Sequence, residues 1–244
     1  MVARALPGTR ALPLEATLAM QSVLSRILER HAWAAALLGC VASLVVAGLE
    51  RRHGSLGAAD RALGGAAIGL VLPLVACISV GAGLGRGRLN QALEPLSRHG
   101  GSPLFASLGA LGALALLVAL AATLIGVATT LAAGHPGDGL LADASSTGWI
   151  FGLAGATYAV CFVAASSFGR RGGGRVWFLL LDFAIGSSSG GFAAFFPRSH
   201  LRNLVGGSPP LELPQGASLG ALVALALFAG VFAVRRAGTT RVAY

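Results

Sequence analysis

The chain has 244 residues, of which 55% are hydrophobic and only 11% charged, with a mean hydropathy of +0.76. A composition this apolar cannot hide its non-polar side chains inside a water-facing globule, so lipid must solvate most of it, and no independently folded soluble domain fits. The formal charge of +9 rests on eighteen arginines and no lysine, scattered in small groups between apolar runs; that scatter marks the loops of a membrane protein and argues against a nucleic-acid partner.

The first element, residues 14–31, is amphipathic, with Leu18, Val23, Leu24, Ile27 and Leu28 interleaved with Gln21, Arg26, Glu29 and Arg30. That pattern predicts a helix lying along the membrane interface. Six apolar runs follow, at residues 32–49, 63–84, 104–133, 148–168, 176–196 and 216–234. Each is near or above the roughly 20 residues that cross about 30 Å of hydrocarbon. The expected fold is therefore all-α, a single polytopic membrane domain with about six transmembrane helices. In the first run, Leu37, Leu38, Gly39 and Cys40 have the look of a lipoprotein cleavage box, but the apolar residues continue to Leu49, so a retained helix is expected. Cys40, Cys77 and Cys161 each lie within an apolar run without a partner at metal or redox spacing, and read as small buried hydrophobes.

Orientation follows from where the arginines fall. One set of segments holds Arg4, Arg10, Arg26, Arg30, Arg86, Arg88, Arg98, Arg170, Arg171, Arg175, Arg235, Arg236 and Arg241; the alternate set holds Arg51, Arg52, Arg61, Arg198 and Arg202. The excess of positive charge places the first set, and with it both termini, in the cytoplasm.

Several chemistries lack their residues. A P-loop needs a lysine, and the chain has none. His31, His53, His99, His135 and His200 are isolated, with no HExxH helix to hold zinc. Ser187, Ser188 and Ser189 have Asp182 as their one ionisable neighbour in the run and no base to activate a nucleophile. No catalytic constellation, metal site or cofactor is expected.

Asp182 is the exception inside the apolar runs. It lies seven residues after Arg175, hence about 10 Å into the membrane on a helix. A charge at mid-membrane depth costs roughly 2.5–3.5 kcal/mol on insertion scales, so Asp182 must face protein or water, or be protonated. It is either a conformational latch or pathway residue, or a structural hydrogen-bond acceptor. Gly186 to Gly191 behind it suit a tight helix interface or a hinge. Residues 197–215, with Pro209, Pro210 and Pro214 among Leu201, Leu204, Val205, Leu211 and Leu213, are too apolar for a solvated loop and too broken for a span. They form a re-entrant segment or lie on the outer surface.

Residues 86–102 join charge to an apolar stripe, through Arg86, Arg88, Leu89, Leu93, Glu94, Pro95, Leu96, Ser97 and Arg98. Such a segment docks a soluble partner or lies in the headgroups. The stretch Arg88 to Arg98, ending Pro95-Leu96-Ser97-Arg98, is similar to the loop after the second span in the type-2 permease subunits of bacterial ABC exporters, a Leu-rich stretch followed by Pro, an aliphatic residue, Ser and Arg. The whole plan resembles that family from about Leu14 to Arg236: an interfacial helix, six spans with both ends inside, and a broken apolar segment before the last span. The Gly-Thr pair that often opens the family's segment is absent and the spacing is shorter.

The resemblance implies that Arg88, Leu93, Glu94, Pro95, Ser97 and Arg98 form a coupling helix meeting a separate ABC ATPase subunit. It further implies a second permease copy or related permease as partner, and residence among lipid in the bacterial inner membrane. The alternative is a non-transporting membrane anchor or assembly protein; an intramembrane enzyme would need more polar side chains at one depth, and a secondary transporter visible inverted repeats.

Overall fold

The computed structural model describes residues 13–54, 57–85, 87–98, 101–134 and 139–239. Arg4, Arg10, Arg86, His99, His135 and Arg241 lie outside the described residues. Within them every regular element is helical. Among the described residues five stretches are long and apolar enough to cross a membrane.

Helix α1 (Leu14–Glu29) begins after Pro13, and Arg30 closes it before His31, whose left-handed φ of 51° turns the chain into α2 (Ala32–His53). After α3 (Ala58–Ala62) the backbone widens into a π-helical stretch, Leu63–Val71, then resumes as α4 (Leu72–Leu84). The ten-residue α5 (Leu89–Arg98) leads into the two longest helices, α6 (Pro103–Ala133, 31 residues) and α7 (Leu140–Ala165, 26 residues). Next come α8 (Gly174–Ile185), a 3-10 turn at Gly191–Phe195, α9 (Pro197–Leu204), and the last long helix, α10 (Gln215–Thr239).

The α6–α7 pair is the spine, and small residues let it close. A Cβ at Gly155 would lie 2.6 Å from the Ala122 Cβ, and one at Gly152 would lie 2.6 Å from the Thr123 hydroxyl. Backbones approach this closely where side chains are minimal, and dispersion contacts between them replace the hydrophobic drive that lipid does not supply. Helix α1 crosses α6 in the same way, with Gly109 against the Ala16 backbone. Its buried stripe is Ala16, Ala19, Val23 and Ile27, while Leu14, Leu18, Leu24 and Leu28 remain exposed. The amphipathic helix expected from the sequence thus has one apolar face on protein and a second available to lipid.

Burial is graded outward from α7. Its most apolar window is 78% buried, against 22% for α2 and 17% for α10. Leu37, Leu38, Val41, Leu227, Phe228 and Val231 all point away from the bundle. Such a surface would be insoluble in water and is at rest in hydrocarbon, so this is a polytopic membrane protein.

The fifth apolar run differs from the expected span. Residues 176–196 do not form one membrane-length helix; α8 stops at Ile185, with Gly186 as its cap, and the chain breaks through Ser187 to Gly190 before the 3-10 turn. Consecutive glycines and serines offer little helix propensity and compete for backbone hydrogen bonds; Ser188 Oγ donates to the Ile185 carbonyl at 2.8 Å. The expected fifth span is therefore a half-length helix followed by returning chain. Rings hold α8 in place: Phe178 meets Phe162 of α7 edge to face at 5.2 Å and Phe196 at 5.8 Å.

Candidate functional site

Two places concentrate polar chemistry, one at the α5 end of the bundle and one inside it around Asp182. The first is built around the end of α4, where the last carbonyls of a helix lack partners within the helix. Arginines supply the donors. Arg26 of α1 reaches the Gly83 carbonyl at 3.4 Å and the Ala92 carbonyl of α5 at 3.0 Å, and Arg30 reaches Ala82 at 3.3 Å. Arg175, at the start of α8, donates to Val80 at 3.3 Å and Gly85 at 2.9 Å. Three guanidinium groups at a helix C-terminus also answer its partial negative charge. From the sequence Arg26, Arg30 and Arg175 appear only as charges flanking spans; the structure makes them the clamp on α4, and Arg175 is buried rather than solvated in a loop.

Arg26 joins this clamp to α5, which packs on α6 with α1 and α10 beside it. Leu89, Ala92 and Leu93 are buried against the bundle and Leu96 is partly buried. Pro95, Ser97 and Arg98 face outward. Glu94 and Arg98, one turn apart, form an ion pair at 2.6 Å, and Ser97 Oγ donates to the Glu94 carbonyl at 2.9 Å. Arg88 is tied back by its guanidinium to the Gly169 carbonyl at 2.9 Å, while its backbone N–H donates to Gln91. The predicted residues are thus brought together on one short helix: Leu93 anchors it, Arg88 fixes its start, and Glu94, Pro95, Ser97 and Arg98 make its outer surface.

The second place is the surroundings of Asp182. The side chain is fully buried and faces protein, as an intramembrane acid must. Arg198 Nε donates to Asp182 Oδ2 at 3.1 Å, and the Tyr158 hydroxyl donates to the same carboxylate at 3.0 Å and 3.2 Å. Arg198 also donates from Nη1 to Ser187 Oγ at 3.3 Å and lies over the Phe183 ring at 4.3 Å. Burial of the pair is complete enough that each charge depends on the other.

Arg198, counted from the sequence among the arginines of the outer segments, is buried, and Ser187 meets a guanidinium instead of a base. The expected 197–215 segment folds inward: Arg198, Ser199, His200, Leu201 and Asn203 of α9 are all buried. His200 lies between the Ala194 carbonyl, 2.8 Å away, and Ser218 Oγ, 3.2 Å away, and burial lowers its pKa below the ordinary histidine value. Asn203 donates to the Leu213 carbonyl and to Ser218 Oγ, both at 2.8 Å, which fastens the segment to the start of α10.

Among the described residues no three His, Cys, Asp or Glu side chains stand together as a metal-binding group. The arrangement can transmit or resist movement at α5 and hold a buried ion pair beneath a polar cleft. No family model and no curated protein matches the chain.

Proposed function

We propose that this chain is the membrane-spanning permease subunit of an ABC exporter, driven by a separate ATPase subunit that docks on α5. The observation that carries the reading is the division of α5 into a face seated on the bundle and a face of Glu94, Pro95, Ser97 and Arg98 turned outward. A short helix packed against α1, α6 and α10, and joined to the end of α4 through Arg26, has the contacts to pass a push to these elements. The interfacial α1 ahead of the spans and the inward-folded segment ahead of α10 agree with the same plan. In this reading both termini and α5 face the cytoplasm of a bacterial inner membrane, and a second permease copy or a related permease completes the path.

The test is affinity purification of the tagged chain in mild detergent, with ATP hydrolysis measured in the eluate. The chain has no lysine and no Walker site, so hydrolysis reports a bound partner. Activity that co-elutes with wild type and is lost from E94A/R98A is the expected result. A chain that elutes from several detergents without ATPase activity overturns the proposal and favours a membrane anchor.

A further inference from the structure

At the end of the bundle opposite α5, a cleft of about 700 Å³ opens between the π-helical stretch and α9. That volume lies within the range of small-molecule sites. Arg61, Arg198 and Arg202 line it, with Asp60 as the acid on its wall. Asp182 is itself fully buried, and Glu50 of α2, paired with Arg61 at 2.7 Å, does not line the cleft. The wall therefore presents more guanidinium than carboxylate.

Arg198 is the informative residue. Its side chain is only 4% exposed; Nε is used by Asp182 and Nη1 by Ser187, while Nη2 has no acceptor among the described residues. Buried guanidinium donors are seldom left unsatisfied, because the group has given up water without a replacement. Since Arg198 borders the cleft, an outside acceptor has its approach from there. Arg202, four residues on and so on the same face of α9, donates from its guanidinium to the Ser187 carbonyl and to no other acceptor among the described residues. Opposite them the wall is Gly64, Gly65 and Gly69, and a Cβ at Gly64 or Gly65 would meet nothing within 4 Å. A π-helical widening lined by glycines keeps this volume open, and such widenings gather at functional sites.

We propose that the cleft binds a phosphate group, with Arg198 and Arg202 supplying forked N–H donors to its oxygens. Phosphate suits the site better than carboxylate, because its oxygens can engage two guanidinium groups at once. The phosphate is that of a lipid headgroup or a free anion, and the two are told apart by competition. Binding here needs no ATPase and goes beyond the transport reading.

The experiment uses the full chain purified in an uncharged detergent. Calorimetric titration with dioctanoyl phosphatidic acid is followed by competition with inorganic phosphate and with uncharged dioctanoylglycerol. The variants are R202Q and G65L, which leave the Asp182–Arg198 pair intact. Saturable phosphatidic acid binding, weakened about tenfold or more in both variants and unaffected by dioctanoylglycerol, is expected. Competition by inorganic phosphate at similar strength identifies a free anion; its failure to compete identifies a lipid. Affinity within about twofold of wild type in both variants, or equal competition by dioctanoylglycerol, overturns the proposal.

Discussion

Replacing Asp182 with Asn keeps the shape of the side chain and an acceptor for Tyr158, but strands the Arg198 charge in the protein interior. Replacing Arg198 with Met strands the carboxylate instead. The two side chains are 0% and 4% exposed, so neither charge can recover its loss from water. Removing one member of such a pair costs about 3–5 kcal/mol, and in a chain of this size that lowers the melting temperature by roughly 6–20 °C. The double variant D182N/R198M leaves no buried charge at this site and should melt well above either single variant, giving a coupling energy of about 3 kcal/mol. The assay is thermal unfolding in detergent, followed by a thiol-reactive fluorophore reporting exposure of Cys161, which is buried in α7. Single variants melting within about 2 °C of wild type would show that the pair contributes little. A double variant as unstable as the sum of the singles would show that the charges do not depend on each other.

The exposed Glu94–Arg98 pair behaves differently: E94A/R98A should shift the melting temperature by less than about 2 °C, so that any loss of a bound ATPase reports docking and not unfolding. Gly109→Val should lower stability by about 1–3 kcal/mol, because its side chain enters the space of the Ala16 backbone. Gly112→Ala, in the same helix and with nothing within 4 Å of an added Cβ, should be neutral or stabilising by up to about 1 kcal/mol in the same melt. Arg26→Gln removes the donors to Gly83 and Ala92, and trypsin should then cut reconstituted protein at Arg88 and Arg98 about fivefold faster or more. Unchanged cutting would show that α5 is held without Arg26.

Membrane-length periodicity made most of the fold legible, since a run of apolar residues needs no tertiary context to be recognised as a span. The α6 run shows this, with helix Pro103–Ala133 covering the residues 104–133 read from hydropathy. The α5 surface was legible for a related reason: polar and apolar residues separate around a single short helix, and its neighbours need not be known. What hydropathy does not register is a local break in hydrogen bonding. The run at 176–196 scores as apolar throughout, yet Gly186 to Gly190 interrupt it, and Gly and Ser lower helix propensity without lowering hydrophobicity enough to divide the run.

The same break explains why the partner of Asp182 was hidden. Arg198 lies sixteen residues further along the chain. Had the helix continued, the two would stand about 24 Å apart along its axis, on opposite sides of the hydrocarbon. Ending α8 at Ile185 and returning through the 3-10 turn brings the guanidinium back to 3.1 Å from the carboxylate. One signal was available: an acid at membrane depth that stays ionised needs a counter-charge or water, and Arg198 is the first basic residue after it in sequence. Combined with the glycine and serine run between them, that requirement points to a re-entering chain, because no straight helix brings the two charges together. The buried pair and the broken span are therefore one structural fact, and the cleft above Arg198 exists because the chain turns back there.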